Sequence, residues 1–169
     1  RSSFTRLNQL NLIMKIHIVD YGMGNIFSVQ KKLLEENITV SISSKPQDIL
    51  QADKIILLGV GNFKRAMDNL QELNLIEPLG NYALIQKKPI LGICLGMQLM
   101  ATFSQEGNSI GLGWIDASVK KFKTLDSQKF KIPHMGWNTI NIAKKSLLMN
   151  NIAADEEFYF VHSFYMQPN

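Results

Sequence analysis

One cysteine, Cys94, stands in a chain of 169 residues, so no intramolecular disulfide can staple it, and such thiol usage fits a reducing compartment such as the cytosol. Histidine is nearly as scarce. His17, His134 and His162 lie far apart and match no ligand spacing, so neither a Cys/His metal site nor a cofactor is indicated. No apolar run reaches the roughly 18 residues that span a bilayer, which excludes a membrane helix. Low-complexity linkers and internal repeats are also missing. What remains is 46% hydrophobic residue content, enough for one cytoplasmic domain with a substantial core.

Residues 1–13 contain no acidic side chain. They read as a disordered leader or upstream translation ahead of Met14, with an organellar transit segment as the other reading. The net charge of +4 raises the question of nucleic acid, since Lys120, Lys121, Lys123, Lys129 and Lys131 interleave with Phe122 and Phe130. The alternation around Leu125-Asp126-Ser127-Gln128 instead predicts an exposed strand pair, a sheet edge kept soluble by lysines, with no nucleic-acid partner.

Along the chain, strands alternate with helices. Lys15 to Asp20, Ile38 to Ile42, Ile55 to Leu58 and Ile90 to Ile93 are short apolar runs. Asn25 to Glu36 carries Ile26, Val29 and Leu33 on one helical face, and a turn of helix starts near Pro46. Further helices are predicted from Phe63, Ala66, Met67 and Leu70, over Ile76 to Gln86, and over Met97 to Phe103. Apolar strands alternating with amphipathic helices predict an α/β fold of flavodoxin-like type, a mostly parallel sheet covered on both faces. From Ile110 the pattern changes to period two. Gly111-Leu112-Gly113-Trp114, Ile132 to Ile142 and Phe158 to Phe164 then read as an antiparallel extension.

The segment Gly92-Ile93-Cys94-Leu95-Gly96 falls where the fourth strand must turn at once into a helix. Such a turn strains the middle residue and projects its side chain alone, and it needs glycines because a Cβ two positions to either side would clash. Cys94 is therefore the candidate nucleophile, with the unpaired N–H groups and positive end of the following helix favouring a thiolate. Two glycine loops end neighbouring strands, where open α/β sheets place their sites. Tyr21-Gly22-Met23-Gly24-Asn25 lacks the third glycine of a dinucleotide fingerprint, because Phe27 stands there, and reads as a turn or close packing. Gly59-Val60-Gly61-Asn62 is either a tight turn or a mobile backbone able to donate to an oxyanion.

Asp20 to Asn25, Gly59 to Phe63, Gly92 to Gln98, Pro133-His134-Met135-Gly136-Trp137-Asn138 and Phe160-Val161-His162-Ser163 stand in order between about Met14 and Tyr165. Together they resemble the motifs of the class I (triad) glutamine amidotransferases, in the form carried by the glutaminase subunits of imidazole glycerol phosphate synthases. The resemblance implies that Cys94 attacks the glutamine carboxamide, with Leu95 N–H as one oxyanion donor and Val60 N–H as the second after a rearrangement of the loop Gly59-Val60-Gly61. It implies that Gln98, Ser163 and Phe164 hold the glutamine. Ammonia would pass to a (β/α)8 barrel cyclase in a heterodimer, docked on Pro133, His134, Met135, Gly136, Trp137, Asn138 and His162.

That family's base is a His-x-Glu pair beyond the Val-His-Ser segment, and no His-x-Glu occurs here. The domain from 14 to 169 is accordingly expected to be incomplete at its C-terminus and inactive alone, with His162 a hydrogen-bonded strand histidine. Leu58 replaces the family's usual proline and Phe164 its usual tyrosine. Two alternatives stay open: a paralogue that feeds ammonia to sugar amidination in surface polysaccharide synthesis, and a non-catalytic binding module.

Overall fold

The computed structural model describes residues 14–124 and 131–169. The expected leader at 1–13 and the expected turn at 125–128, with Lys129 and Phe130, lie outside the described residues.

Strands β1 (Ile16–Val19), β2 (Val40–Ser43), β3 (Lys54–Gly59) and β4 (Ile90–Cys94) form a parallel sheet in the order β2-β1-β3-β4. Helices α1 (Ile26–Glu35), α2 (Pro46–Gln51), α3 (Phe63–Glu72), α4 (Ile76–Gly80) and α5 (Leu95–Gln98) follow them. Successive side chains of a strand point to opposite faces, and the apolar run of β3 fills both. Ile55 and Leu57 join Phe63, Ala66, Leu70, Leu79 and Tyr82 from the α3–α4 side. Ile56 and Leu58 join Ile18, Val40 and Ile26 from the α1 side. This is the α/β layering the periodicities predict. Packing rather than capping holds α1. The Asn25 cap on Ser28 N contributes about 1 kcal/mol, whereas each buried aliphatic side chain contributes about 2.

Three boundaries differ from the sequence reading, each because a long-range or capping bond claims a backbone group. Strand β2 starts at Val40 rather than Ile38. Asn37 takes a left-handed φ of 59° and Ile38 N donates back to Leu33 O, which consumes Ile38 in closing α1. The expected helix from Ile76 to Gln86 is α4 followed by a wider π turn at Asn81–Ile85, closed by Gln86 N on Asn81 O. The helix expected over Met97 to Phe103 stops after one turn, and β5 (Ala101–Ser104) follows. The cause is the returning segment. Gly111, Leu112, Gly113, Trp114 and Ile115 donate to the carbonyls of Thr102, Leu99, Ala101, Met100 and Met100 respectively, the acceptors a longer helix would use. Gly111 makes the approach possible, because a Cβ there would overlap the Ala101 carbonyl. So Gly111 to Trp114 is a bonded crossing rather than a strand.

Strand β5 lies in a second sheet with β6 (Ser109–Ile110), β7 (Ile115–Lys121) and β10 (Phe164–Pro168), ordered β10-β7-β5-β6. The lysine-rich stretch is therefore not an edge. β7 pairs antiparallel with β10 and parallel with β5, and it buries Ala117 and Val119. β8 (His134–Thr139) and β9 (Glu157–His162) form a separate antiparallel ribbon, pairing His134 with His162 and Trp137 with Tyr159.

Candidate active site

Cys94 closes β4 with φ 53° and ψ −118°, and α5 begins at the next residue. A positive φ at a residue with a Cβ costs of order 1–3 kcal/mol, so its surroundings must impose it. A Cβ on Gly92 would lie 2.6 Å from Met97 Cα, and one on Gly96 would run into the Leu57 carbonyl. The helix start therefore folds down onto β3 and β4 as tightly as backbone allows, and the bend falls on Cys94. Its thiol is exposed. α5 is only four residues long, shorter than the helix expected to face the sulfur with its positive end. Leu95 opens that helix, so its N–H has no acceptor within it.

Parallel register sets Gly59 beside Cys94, so the loop that leaves β3 passes next to the sulfur. Val60 is 58% exposed and Gly61 takes a φ of 108°. Asn62 ends the loop by capping α3, its Oδ1 accepting from Arg65 N at 3.1 Å. Between this loop and the end of β9 lies a cleft of about 410 Å³, lined by Val60, Gly61, Cys94, Leu95, Gln98, Glu106, Pro133, Val161, His162, Ser163 and Phe164.

The cleft thus gathers Cys94, Val60, Gly61, Leu95, Gln98, Ser163 and Phe164 from the residues singled out in the sequence. Gly59 is buried just beneath it. The segment expected to dock a partner is divided: Pro133 and His162 line the cleft, while His134, Met135, Gly136, Trp137 and Asn138 lie along β8 outside it. Gln98 Nε2 donates to the Phe164 carbonyl at 3.4 Å, so the amide expected to hold glutamine also ties α5 to β10.

His162 Nδ1 lies 2.8 Å from the same Phe164 carbonyl, which can only accept, so Nδ1 carries the proton. Its Nε2 then accepts from His134 Nδ1 at 3.0 Å, and His134 Nε2 accepts from Asn138 Nδ2 at 2.9 Å. This chain of bonds is satisfied with both rings neutral. Phe122 packs edge-on against His162 at 5.0 Å between centroids. Both ring nitrogens of His162 are occupied, so it braces the ribbon beside the cleft and offers no free base to the sulfur. His17 is 1% exposed, bonded to Ser41 Oγ and the Ser43 carbonyl, and burial pushes its pKa below 6.5.

Three residues near the sulfur escaped the sequence reading. Glu106 lines the cleft, and its Oε2 accepts from Phe63 N at 2.9 Å. Val161 lines it from β9. Tyr21 is 1% exposed, and its hydroxyl has no hydrogen-bond partner among the described residues, a situation that costs about 1–3 kcal/mol. Two of them carried a signal, Tyr21 through its place in a glycine loop at a strand end and Val161 through its place in the motif Phe160-Val161-His162-Ser163. Glu106 sits in a turn whose position depends on how β5 and β6 close.

The model of the family described as glutamine amidotransferase class-I matches residues 17–169, and the chain belongs to that family. Among its relatives, the imidazole glycerol phosphate synthase subunit HisH 2 of Methanococcus maripaludis is 46% identical over 151 residues, covering 89% of this chain and 74% of that protein. The subunit HisH 1 of Campylobacter jejuni is 48% identical over 153 residues, covering 90% of this chain and 75% of that protein. In fold, the chain is similar to a putative GMP synthase subunit from Thermoplasma acidophilum, with a TM-score of 0.64 at 20% identity over 91% of this chain and 67% of that one.

Proposed function

We propose that this chain is the glutaminase part of an imidazole glycerol phosphate synthase, a HisH-type subunit that serves histidine biosynthesis. The observation that carries the reading is the exposed Cys94 at positive φ in a cleft bordered by Val60 and Gly61. The Cys94 thiolate attacks the side-chain carboxamide carbon of glutamine, and the carbonyl oxygen takes up the electron pair. Leu95 N–H and Val60 N–H stabilise that oxyanion. Collapse breaks the carbon–nitrogen bond, ammonia leaves with a proton from the general acid, and a glutamyl thioester remains. Water then splits the thioester to glutamate and free Cys94. Gln98, Ser163 and Phe164 form the wall toward the glutamine, and the Glu106 carboxylate supplies a counter-charge for its α-ammonium.

The acid and base of these steps are the family's His-x-Glu pair, because no described histidine takes the role: His17 is buried in the core, and His134 and His162 bond to each other. Ammonia is protected from water in a heterodimer with a (β/α)8 barrel cyclase, docked through the β8–β9 ribbon. Leu58 stands before the Gly59 loop where the family usually has proline, and Phe164 lines the cleft where it usually has tyrosine. That keeps the sugar-amidination paralogue as the second reading, distinguished by which partner enzyme accepts the ammonia.

The test is ammonia release from glutamine by the full-length protein with its synthase partner. Cys94→Ala should abolish it, since triad members act as a unit. Undiminished release in that variant would overturn the mechanism.

A further inference from the structure

The Tyr21 hydroxyl is the buried side-chain polar atom that finds no partner among the described residues, and it does not sit at random. It occupies the space a side chain on Gly59 would fill, and Leu95 Cβ lies 3.3 Å from that same point. Gly59 is the register partner of Cys94, and Leu95 follows Cys94. The phenol is thus boxed between the two segments whose N–H groups would hold an oxyanion. Its own loop is pinned. The Tyr21 carbonyl accepts from Asn69 Nδ2 at 3.0 Å, and Gly22 N donates to Asp20 Oδ1 at 3.1 Å. Farther along the same loop, a Cβ on Gly24 would press on Leu58 Cδ1 and come within 3.2 Å of Gly59 Cα, while Met23 Cε lies 3.1 Å from the Cβ position of Gly61. The whole Asp20 to Asn25 motif, a turn without a task in the sequence, therefore lies along the Gly59 loop. Burial first, and the nearby Cys94 second, push the phenol pKa up, so the hydroxyl stays a donor wherever the enzyme works.

A buried donor without an acceptor invites one. When the Gly59–Val60 peptide turns its N–H toward the cleft, its carbonyl points the opposite way across the trans peptide and meets the protein interior, where an unpaired carbonyl is equally unfavourable. We propose that Tyr21 is a positioning residue for the oxyanion hole: its hydroxyl donates to the Gly59 carbonyl in the reacting state and so holds the Val60 N–H at the oxyanion. This rests on the amidotransferase reading above. The mispairing then falls on the resting state and is relieved as charge develops on the substrate, so the bond favours the transition state over the ground state.

The experiment uses the full-length protein with its synthase partner and compares wild type, Tyr21→Phe, 3-fluorotyrosine at position 21, and Cys94→Ala. Tyr21→Phe should melt at or above the wild-type temperature, keep the KM for glutamine within about two-fold, and lose roughly ten-fold in kcat, less than removal of an oxyanion donor itself. Fluorotyrosine, which restores a hydroxyl, should return kcat to near wild type. Alkylation of Cys94 by iodoacetamide displaces iodide with no oxyanion, and should proceed at the wild-type rate in Tyr21→Phe. Wild-type kcat in Tyr21→Phe, with Cys94→Ala inactive, would overturn the role of Tyr21 and leave the amidotransferase reading standing. A parallel fall in kcat, alkylation rate and melting temperature would also overturn it, assigning the ring to packing alone. Ammonia release that survives Cys94→Ala would instead overturn the underlying reading.

Discussion

Cys94 holds a left-handed backbone because its neighbours lack side chains. Gly92 and Gly96 let α5 lie on β3 and β4 at backbone contact, and the strain of φ 53° is what that contact imposes. This much was legible in five consecutive residues. The role of Tyr21 was not, because a hydroxyl's partners cannot be read from its own loop. His17 makes a separate prediction at the same scale. Burial depresses its folded-state pKa below 6.5, so the unfolded chain binds the proton more readily. Unfolding free energy should then be level well above pH 6.5 and fall as pH drops through 6.5, where the unfolded state binds more protons. Chemical denaturation across that window should show the slope, and His17→Gln should flatten it while lowering stability overall.

At the level of elements, caps and crossing bonds set the lengths that periodicity left open. α5 ends early because the Gly111 to Ile115 segment takes its acceptors, and β2 starts late because Ile38 closes α1. Helix α3 begins where the Gly59 loop stops. Two of its free N–H groups are satisfied by side chains, Arg65 N by Asn62 and Phe63 N by Glu106. Asn62→Ala should therefore lower stability by about 1 kcal/mol in urea titration. It should also raise the KM for glutamine, since the cap anchors the end of a loop that borders the cleft. An unchanged KM would mean that the loop holds its shape without the cap.

For the molecule as a whole, the β8–β9 ribbon presents two unlike faces. His134, Phe160 and His162 turn toward one another on one side. Met135, Trp137, Tyr159 and Val161 share the other, with Trp137 64% exposed and edge-on to Tyr159 at 5.5 Å. Exposed apolar side chains sharing one face of a ribbon suit a partner surface. If the proposed barrel cyclase docks here, Trp137→Ala should weaken that assembly by about 2 kcal/mol, seen by titration calorimetry, while the melting temperature of the protein alone stays put. Wild-type affinity in that variant would move the docking face elsewhere.

The strand and helix alternation from Ile16 to Cys94 and the sulfur between two glycines were determined by the sequence itself, because periodicity and a strand-to-helix bend are properties of residues close in the chain. The tertiary structure alone decided that β7 is an inner strand between β5 and β10, that both nitrogens of His162 are engaged, and that Tyr21 reaches under Gly59. Each depends on at least one contact between segments tens of residues apart, and an alternation of apolar and polar side chains says which face a residue takes without saying what will meet it there.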